Sequence, residues 1–127
     1  MEITDGIVAS VRGFLNIDVN SDVFDMEIIP LIQSSIGRLS QNGVAKSSII
    51  STETTWEDII NPDIIAKDEV FSLIPLYIKL SVKMLFDPPP PSTIQFYQSN
   101  LDDNLWRLRL ICDIEKNNQT EGEQNAL

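Results

Sequence analysis

The stretch LSVKMLFDPPPPSTIQFYQSNLDDNLWRLRL, residues 80–110, decides the fold of this chain. It begins with the end of an apolar segment and then runs into four consecutive prolines, Pro88–Pro91. Each proline lacks an amide hydrogen and restricts the residue before it, so a helix cannot continue past Asp87. Ser92 is well placed to cap a second helix. The stretch therefore predicts a helical hairpin with a proline turn.

The arm before the prolines is an apolar segment within residues 63–86. It is predicted as one or two helices with a break or bend at Pro75. After that proline only Lys79 and Lys83, four residues apart, mark a solvent-facing stripe. Most of the circumference should therefore be covered by other helices or by other subunits.

The arm after the prolines carries apolar residues at steps of three and four, which predicts an amphipathic helix. Asp103 and Arg107 have the spacing of an i to i+4 ion pair on its polar side. Almost no apolar residues follow Ile114, so residues 115–127 are predicted to form a flexible tail. The apolar positions of this helix are Ile94, Tyr97, Leu101, Leu105, Leu108 and Cys112.

Two amphipathic helices precede the hairpin. The first ends near Leu15, and Thr4 or Asp5 can cap its first turn. A polar loop over residues 16–21 follows. The apolar face of this first helix consists of Ile3, Ile7, Val8, Val11, Phe14 and Leu15.

The second helix can be capped by Ser21 or Asp22. Pro30 lies inside it and removes one backbone hydrogen bond, so the helix should kink or start late. Gly43 supplies the C-terminal stop, because glycine adopts the left-handed conformation that such a cap needs. The apolar face consists of Phe24, Ile28, Ile32, Ile36 and Leu39.

Residues 44–55 show no helical period and are predicted as an exposed loop or a short extended arm. Thr54 and Glu57 have the spacing of a capping box at the head of a short helix, Trp56–Ile60, which can cover the edge of the core. The elements together predict an all-α bundle of about four main helices plus a short helix, one irregular loop and a flexible C-terminal tail. At 127 residues the chain fits one helical domain, residues 1–114, with the tail at 115–127.

The net charge of −10, from 9 Lys and Arg against 19 Asp and Glu, argues against a nucleic-acid-binding surface. Such surfaces neutralise phosphates with cations. An acidic surface can keep a protein soluble, meet a basic partner, or line a passage through which a polyanion slides without sticking.

The cysteine content and the apolar runs give no sign of secretion or membrane insertion. Cys112 is the single cysteine and cannot form an internal disulfide, and its place in an apolar stripe favours core packing. The N-terminus lacks the basic and apolar regions of a secretory signal, so we expect a protein kept in a cytosol. The apolar run 70–86 is short and contains two lysines, which favours a buried helix over a membrane span.

The sequence offers little for catalysis. It contains no histidine, the commonest general base and metal ligand. Residues 18–22 resemble the opening of a calcium-binding loop, but Val23 and Ile29 stand where the glycine and the bidentate glutamate belong. The carboxylate pairs favour solvated surface over acid–base catalysis; they are Glu57-Asp58, Asp68-Glu69 and Asp102-Asp103. We therefore expect no enzyme activity, and no metal or cofactor.

Four aromatic residues have two possible roles. Trp56 and Trp106 can pack in the core, which is the more frequent role, or anchor a protein interface. Phe96 and Tyr97 lie on neighbouring faces of the last helix, so one of the two is a candidate for facing a partner.

Several short motifs occur in an order that resembles the small head-to-tail connector (adaptor) proteins of tailed bacteriophages. The resemblance covers roughly residues 3–110, and no single motif carries it alone. The motif residues are Trp56, then Phe86, Asp87, Pro88 and Pro89 at the proline turn, and Leu105, Trp106, Arg107 and Leu108 in the last helix.

The resemblance implies a structural virion protein of the neck, at the capsid vertex. About twelve copies would form a ring beneath the portal protein, extend the DNA channel, and offer a platform for the stopper or tail-completion protein. DNA would pass without specific binding, and no membrane would be involved. The subunits would be in the host cytoplasm before assembly.

The polar tail is the first candidate for a contact with the portal, since a disordered segment can fold on docking. The loop 44–55 is the second, facing a neighbouring subunit or the channel. The alternative function is an acidic helical regulatory or inhibitor protein that binds a basic partner. The candidate contact residues of the tail are Asp113, Glu115, Lys116, Glu121, Glu123 and Leu127.

Overall fold

The computed structural model describes the backbone of residues 5–61 and 68–125, and the side chains of residues 5–61 and 72–113. Within these ranges the chain is helical and contains no β-strand, which confirms the all-α prediction. An isolated antiparallel bridge joins Gly6 to Thr55. The elements are α1 (Ile7–Phe14), α2 (Asp25–Gln41), a 3₁₀ helix (Trp56–Asp58), α3 (Asp68–Phe86) and α4 (Pro91–Asn125).

Helix α3 is the centre of the bundle, with α2 and α4 packed against it and α1 in contact with both α2 and α3. It runs through Pro75 without the predicted break. The lost hydrogen bond is local, and burial of apolar residues on both sides of Pro75 keeps the helix continuous. Residues 63–67, where we also predicted helix, lie outside the described residues. The buried side chains of α3 are Leu73, Ile74, Tyr77, Ile78 and Val82.

The predicted lysine stripe of α3 is only partly solvent-facing. Lys79 is half-buried, and desolvation lowers the pKa of its ammonium group. Lys83 forms an ion pair with Asp87, one turn further along, at 3.3 Å. Leu76 and Leu85 are exposed as well, so α3 is less fully covered after Pro75 than we predicted.

Helix α2 buries Ile28, Ile32, Ile36 and Leu39, which confirms the predicted apolar face. The helix begins at Asp25, so Pro30 does not delay its start. The predicted caps Ser21 and Asp22 are wrong, since the cap position is Phe24 and no side chain bonds to the first turn. The backbone does this instead: the carbonyl oxygen of Asp22 accepts from the amide of Asp25 at 3.1 Å.

Gly43 ends α2 as predicted, with a positive φ of 76°. The amide of Val44 donates to the carbonyl of Leu39 at 3.0 Å, and the amide of Gly43 donates to that of Ser40 at 3.0 Å. These two bonds form a Schellman motif. Val44 and Leu39 are both buried, so the motif also turns the chain back onto the core.

The N-terminus of α1 is capped by a distant loop rather than by its own side chains. The cap position is Gly6, so Asp5 is not the cap and Thr4 lies outside the described residues. The amide of Ile7 donates to the carbonyl of Thr54 at 3.0 Å. Trp56 fixes this arrangement, because its indole Nε1 donates to the Ser10 hydroxyl at 3.2 Å. A tertiary contact therefore satisfies donors for which we predicted a local partner.

Residues 44–54 form no helix or strand, as predicted, and most of them are exposed, but two side chains anchor the segment to the core. Val44 and Ile50 are buried. The side-chain amide of Gln33 holds the segment, since its Nε2 donates to the Ser48 carbonyl at 2.6 Å and its Oε1 accepts from the Ile50 amide at 2.9 Å. One glutamine on α2 thus supplies the hydrogen bonds that a neighbouring strand would give.

The short helix after this loop is a single 3₁₀ turn. Its N-cap residue is Thr55, one residue later than the predicted Thr54. Thr55 and Asp58 form the capping box, so the pairing of Thr54 with Glu57 is wrong. The amide of Thr55 donates to Asp58 Oδ2 at 2.8 Å. The predicted core-covering residues Trp56, Ile59 and Ile60 are fully buried.

Helix α4 starts at Pro91, so the predicted cap Ser92 already lies inside the helix. Proline suits this first position, because its missing amide would have no helical partner there. The backbone stays helical through Asn125, so α4 continues into residues 115–125, which we predicted as a flexible tail. Propagation of an existing helix needs no new nucleus, and polar side chains allow it. The flexibility of the tail stays a prediction.

Candidate functional site

Part of the motif set forms the framework of the bundle. Trp56 and Leu108 are fully buried, and Leu105 is half-buried against the core. Trp56 therefore takes the core role rather than the interface role. The buried Cys112, one turn after Leu108, confirms the predicted inward face of α4.

The proline turn joins α3 to α4 through contacts that hold its first residues. The ring of Phe86 meets the ring of Phe24 edge to face, with 5.5 Å between centroids. Asp87 is paired with Lys83 at the end of α3. Pro88 is exposed, whereas Pro89 is buried. The turn is thus packed against the start of α2 as well as linking two helices.

Trp106 and Arg107 lie on the opposite side of α4 from Leu105 and Leu108. Trp106 keeps 62% of its surface exposed, so it is not the core residue that we considered the more frequent case. Phe96, at 70% exposed, is the aromatic residue that faces away from the core, while Tyr97 is half-buried. Leu110 is also exposed. We call this exposed face of α4 the outer stripe. It consists of Phe96, Trp106 and Leu110, together with the neighbouring charged residues Asp103 and Arg107.

A groove of about 430 Å³ opens between α2, α3 and α4. Its size falls in the range of roughly 300–1,000 Å³ that is typical of clefts which bury an apolar ligand. The helices α2 and α4 form its two walls, and the C-terminal half of α3 forms its floor. The lining residues are Ser34, Ser35 and Arg38 of α2, Tyr77, Ser81, Met84 and Leu85 of α3, and Gln98, Leu101, Asp102 and Leu105 of α4.

Both surfaces carry one charge of each sign. Arg38 and Asp102 line opposite walls of the groove. Asp103 and Arg107 lie one turn apart on the outer stripe and are exposed. The ion pair that we predicted between Asp103 and Arg107 is wrong: the pairs found among the described side chains are Arg12 with Asp25 and Lys83 with Asp87. The four charges are therefore available to other molecules.

Asn104 is an unusual polar residue in this region of α4. Its side chain is buried, and its Nδ2 atom has no hydrogen-bond partner. A buried donor without a partner costs free energy, so this position weakens the packing of α4 rather than strengthening it.

The tail residues are placed only by their backbone. Asp113 is exposed on α4, and the backbone of Glu115, Lys116, Glu121 and Glu123 continues the same helix. Leu127 lies outside the described residues. The structure does not bring the residues from Asp113 to Glu123 together with the proline turn, which is at the other end of the described core of α4.

Sequence reasoning missed the buried ion pair between α1 and α2. Arg12 Nε donates to Asp25 Oδ1 at 3.0 Å, Arg12 Nη2 donates to Asp25 Oδ2, and Arg12 Nη1 donates to the Val19 carbonyl at 2.9 Å. The signal in the sequence was an arginine one residue after Val11, on the inner face of a short apolar helix. The groove gave no signal at all, because it depends on how three helices sit together.

Two searches of the described residues concern other kinds of site. They contain no group of three or more histidine, cysteine, aspartate and glutamate residues that could hold a metal ion. None of the helices described is long and apolar enough to cross a membrane.

Comparison with known proteins identifies a family. The family model described as "Phage connector protein" matches residues 7–115, which include the framework residues, the proline turn, the outer stripe and the groove. Searches of curated proteins and of solved structures gave no match. Because the family model spans far more than half of the chain, this protein belongs to the phage connector protein family, a family of structural virion proteins.

Proposed function

We propose that copies of this chain form a ring between the portal protein and the stopper or tail-completion protein, so that the ring extends the DNA channel. The observation that carries this proposal is the family match over residues 7–115. A ring of about twelve copies would match the rotational symmetry expected of a neck assembly. The subunits are in the host cytoplasm before they join the virion.

The exposed apolar surface supports an assembled state. Phe96 and Trp106 are mostly exposed, and so are Val23, Met26 and Ile49 elsewhere on the chain. Trp106 and Leu110 lie one turn apart on the same face of α4, and a contiguous exposed apolar patch marks a surface for another protein.

The charge balance supports a passage for DNA. A net charge of −10 on each copy gives a ring a strongly acidic surface. Such a surface repels the phosphate backbone, so DNA can slide past without binding specifically.

The motif residues divide into two proposed roles. Trp56, Phe86, Pro89 and Leu108 keep the helices in place, and Asp87 and Pro88 complete the turn. The far end of α4 then carries the tail to the portal. The proposed portal contacts of the tail are Asp113, Glu115, Lys116, Glu121, Glu123 and Leu127.

Electron microscopy of particles made with and without this protein tests the proposal. We expect a ring between portal and tail in complete particles, and portal vertices without tails when the protein is missing. The proposal is overturned if the protein is absent from purified particles and is instead recovered as a monomer or dimer on a basic protein, as a regulatory or inhibitor protein would be.

A further inference from the structure

The outer stripe is an apolar face of α4 that nothing in the described fold covers. At 100° per residue, Phe96, Trp106 and Leu110 fall within about 80° of the helix circumference. Leu108 and Cys112 point the opposite way, into the core. Trp106 and Leu110 have the i to i+4 spacing with which a helix anchors itself in a groove of another protein, and Phe96 extends the same face toward the start of α4.

The groove is the matching surface on the same chain. Leu85 stands exposed at its edge, and Tyr77, Met84, Leu101 and Leu105 line it together with polar residues, among them Ser34, Ser81 and Gln98. Its volume of about 430 Å³ leaves room for large apolar side chains.

The two surfaces lie at the same level of the molecule. The groove uses residues 98–105 of α4, and the outer stripe runs over residues 96–110 of that helix. Rotation about an axis roughly parallel to α4 keeps the level of every residue. A copy placed beside the first by such a rotation therefore has its stripe at the level of the first copy's groove.

The charges of the two surfaces complement each other. The stripe offers Asp103 and Arg107, which are not paired with each other. The groove offers Arg38 on one wall and Asp102 on the other. Opposite charges across an interface fix its register and discriminate against wrong partners. This matters for copies that each carry a net charge of −10 and would otherwise repel one another.

We propose that the outer stripe of one copy lies in the groove of the next copy, with Asp103 facing Arg38. The two surfaces are different, so the contact is head to tail, and repetition of it closes a ring when the rotation allows. This inference rests on the proposed ring and names its subunit interface.

A photo-crosslinking residue at position 106 tests the contact in the full chain, assembled with portal-bearing capsids. We expect crosslinked pairs of this protein, with the adduct in a peptide that contains residues 77–85 or 98–105. The same probe at Ile49, an exposed residue of the loop 44–54, should give no adduct in those peptides. Adducts from position 106 elsewhere on this chain, only on another virion protein, or on nothing, overturn the proposal.

A charge placed at the edge of the groove gives a second test. Leu85→Arg should reduce incorporation into particles at least about tenfold, because the guanidinium would be buried against the neighbour's apolar stripe. Val19→Arg, at an exposed apolar residue of the loop between α1 and α2, is the matched control and should incorporate normally. Equal incorporation of both variants overturns the proposed interface. Thermal unfolding checks that each variant folds.

Micrographs of the same particles separate the interface from the function. If the particles show a ring at the neck but the adducts lie outside the groove, the proposed interface is wrong and the proposed function is supported. If the adducts lie in the groove but no ring is seen between portal and tail, the proposed function is wrong and the contact between copies is supported.

Discussion

Arg12 on α1 and Asp25 at the start of α2 form a two-pronged ion pair, in which the guanidinium donates to both carboxylate oxygens. The two side chains are 11% and 14% exposed. Arg12 also donates to the carbonyl of Val19, so it ties the intervening loop to both helices. Neither helix has a side-chain hydrogen bond at its N-terminal cap. The ion pair is therefore the main polar contact that joins α1 to the start of α2.

Removal of Asp25 should destabilise the fold strongly. We expect Asp25→Ala to lower the free energy of unfolding by about 3 kcal/mol, because it leaves a buried guanidinium without its counter-charge. Urea denaturation measures the change. Asp22→Ala is the control, since this exposed side chain should matter by less than about 0.5 kcal/mol. Equal effects of the two variants would show that the buried pair contributes nothing.

Gln33 should hold the loop 44–54 through its two hydrogen bonds to the backbone. We expect Gln33→Ala to lower the free energy of unfolding by about 1–3 kcal/mol and to speed amide exchange at Ile50. Hydrogen exchange followed by mass spectrometry reads out that segment. Gln41→Ala, an exposed glutamine of the same helix, is the control. Unchanged exchange in the Gln33 variant would contradict the role of the amide.

The glycines Gly43 and Gly37 should respond to alanine with opposite signs. Gly43 has a φ of 76°, so Gly43→Ala should destabilise by about 1–2 kcal/mol. Gly37 lies inside α2, and the place of its missing Cβ is empty to 4 Å. Gly37→Ala should therefore stabilise by about 0.5–1 kcal/mol. Thermal and urea unfolding of both variants measure the difference, and the same sign for both would refute the prediction.

The helix faces could be predicted from the sequence because their signal is local. Ile28, Ile32 and Ile36 repeat at the helical period and are buried. A helix needs apolar residues at this period to pack on a core, whichever element it packs against. The helix starts were wrong for the opposite reason. The Thr54 carbonyl that binds the amide of Ile7 is far away in sequence, and no local pattern announces it.

The candidate site could be predicted in part. The proline turn and the motif residues of α4 were identified, and the family match covers them. The exposure of Trp106 was not, because a tryptophan beside core leucines fits either role. The groove depends on the spacing of α2, α3 and α4, which the order of residues along the chain does not reveal.

Pro89 should matter more than Pro88 in the turn between α3 and α4. Pro89 is buried and Pro88 is exposed, so only Pro89→Ala removes buried apolar surface. We expect Pro89→Ala to cost about 1–2 kcal/mol and to reduce incorporation into particles, and Pro88→Ala to change the free energy of unfolding by less than about 1 kcal/mol. Urea denaturation and immunoblots of purified particles provide the two measurements. A larger effect at Pro88 would show that rigidity of the turn, rather than packing, is what counts.

Truncation after Asp113 separates the bundle from the tail that we propose as the portal contact. The described core of α4 is packed through Cys112, so the shortened chain should keep its helical bundle. We expect its free energy of unfolding to change by less than about 1 kcal/mol, since surface segments contribute little to a core. Binding to isolated portal rings, measured by cosedimentation, should be lost.

A variant of the tail serves as the control for this truncation. Glu121→Gln keeps the length of the chain and removes one charge, so it should bind the portal nearly as well as the unmodified protein if the contact is spread along the tail. Binding of the truncated chain with unchanged affinity would refute the tail as the portal contact. The ring interface in the groove would be unaffected by that result, because the outer stripe ends before the truncation point.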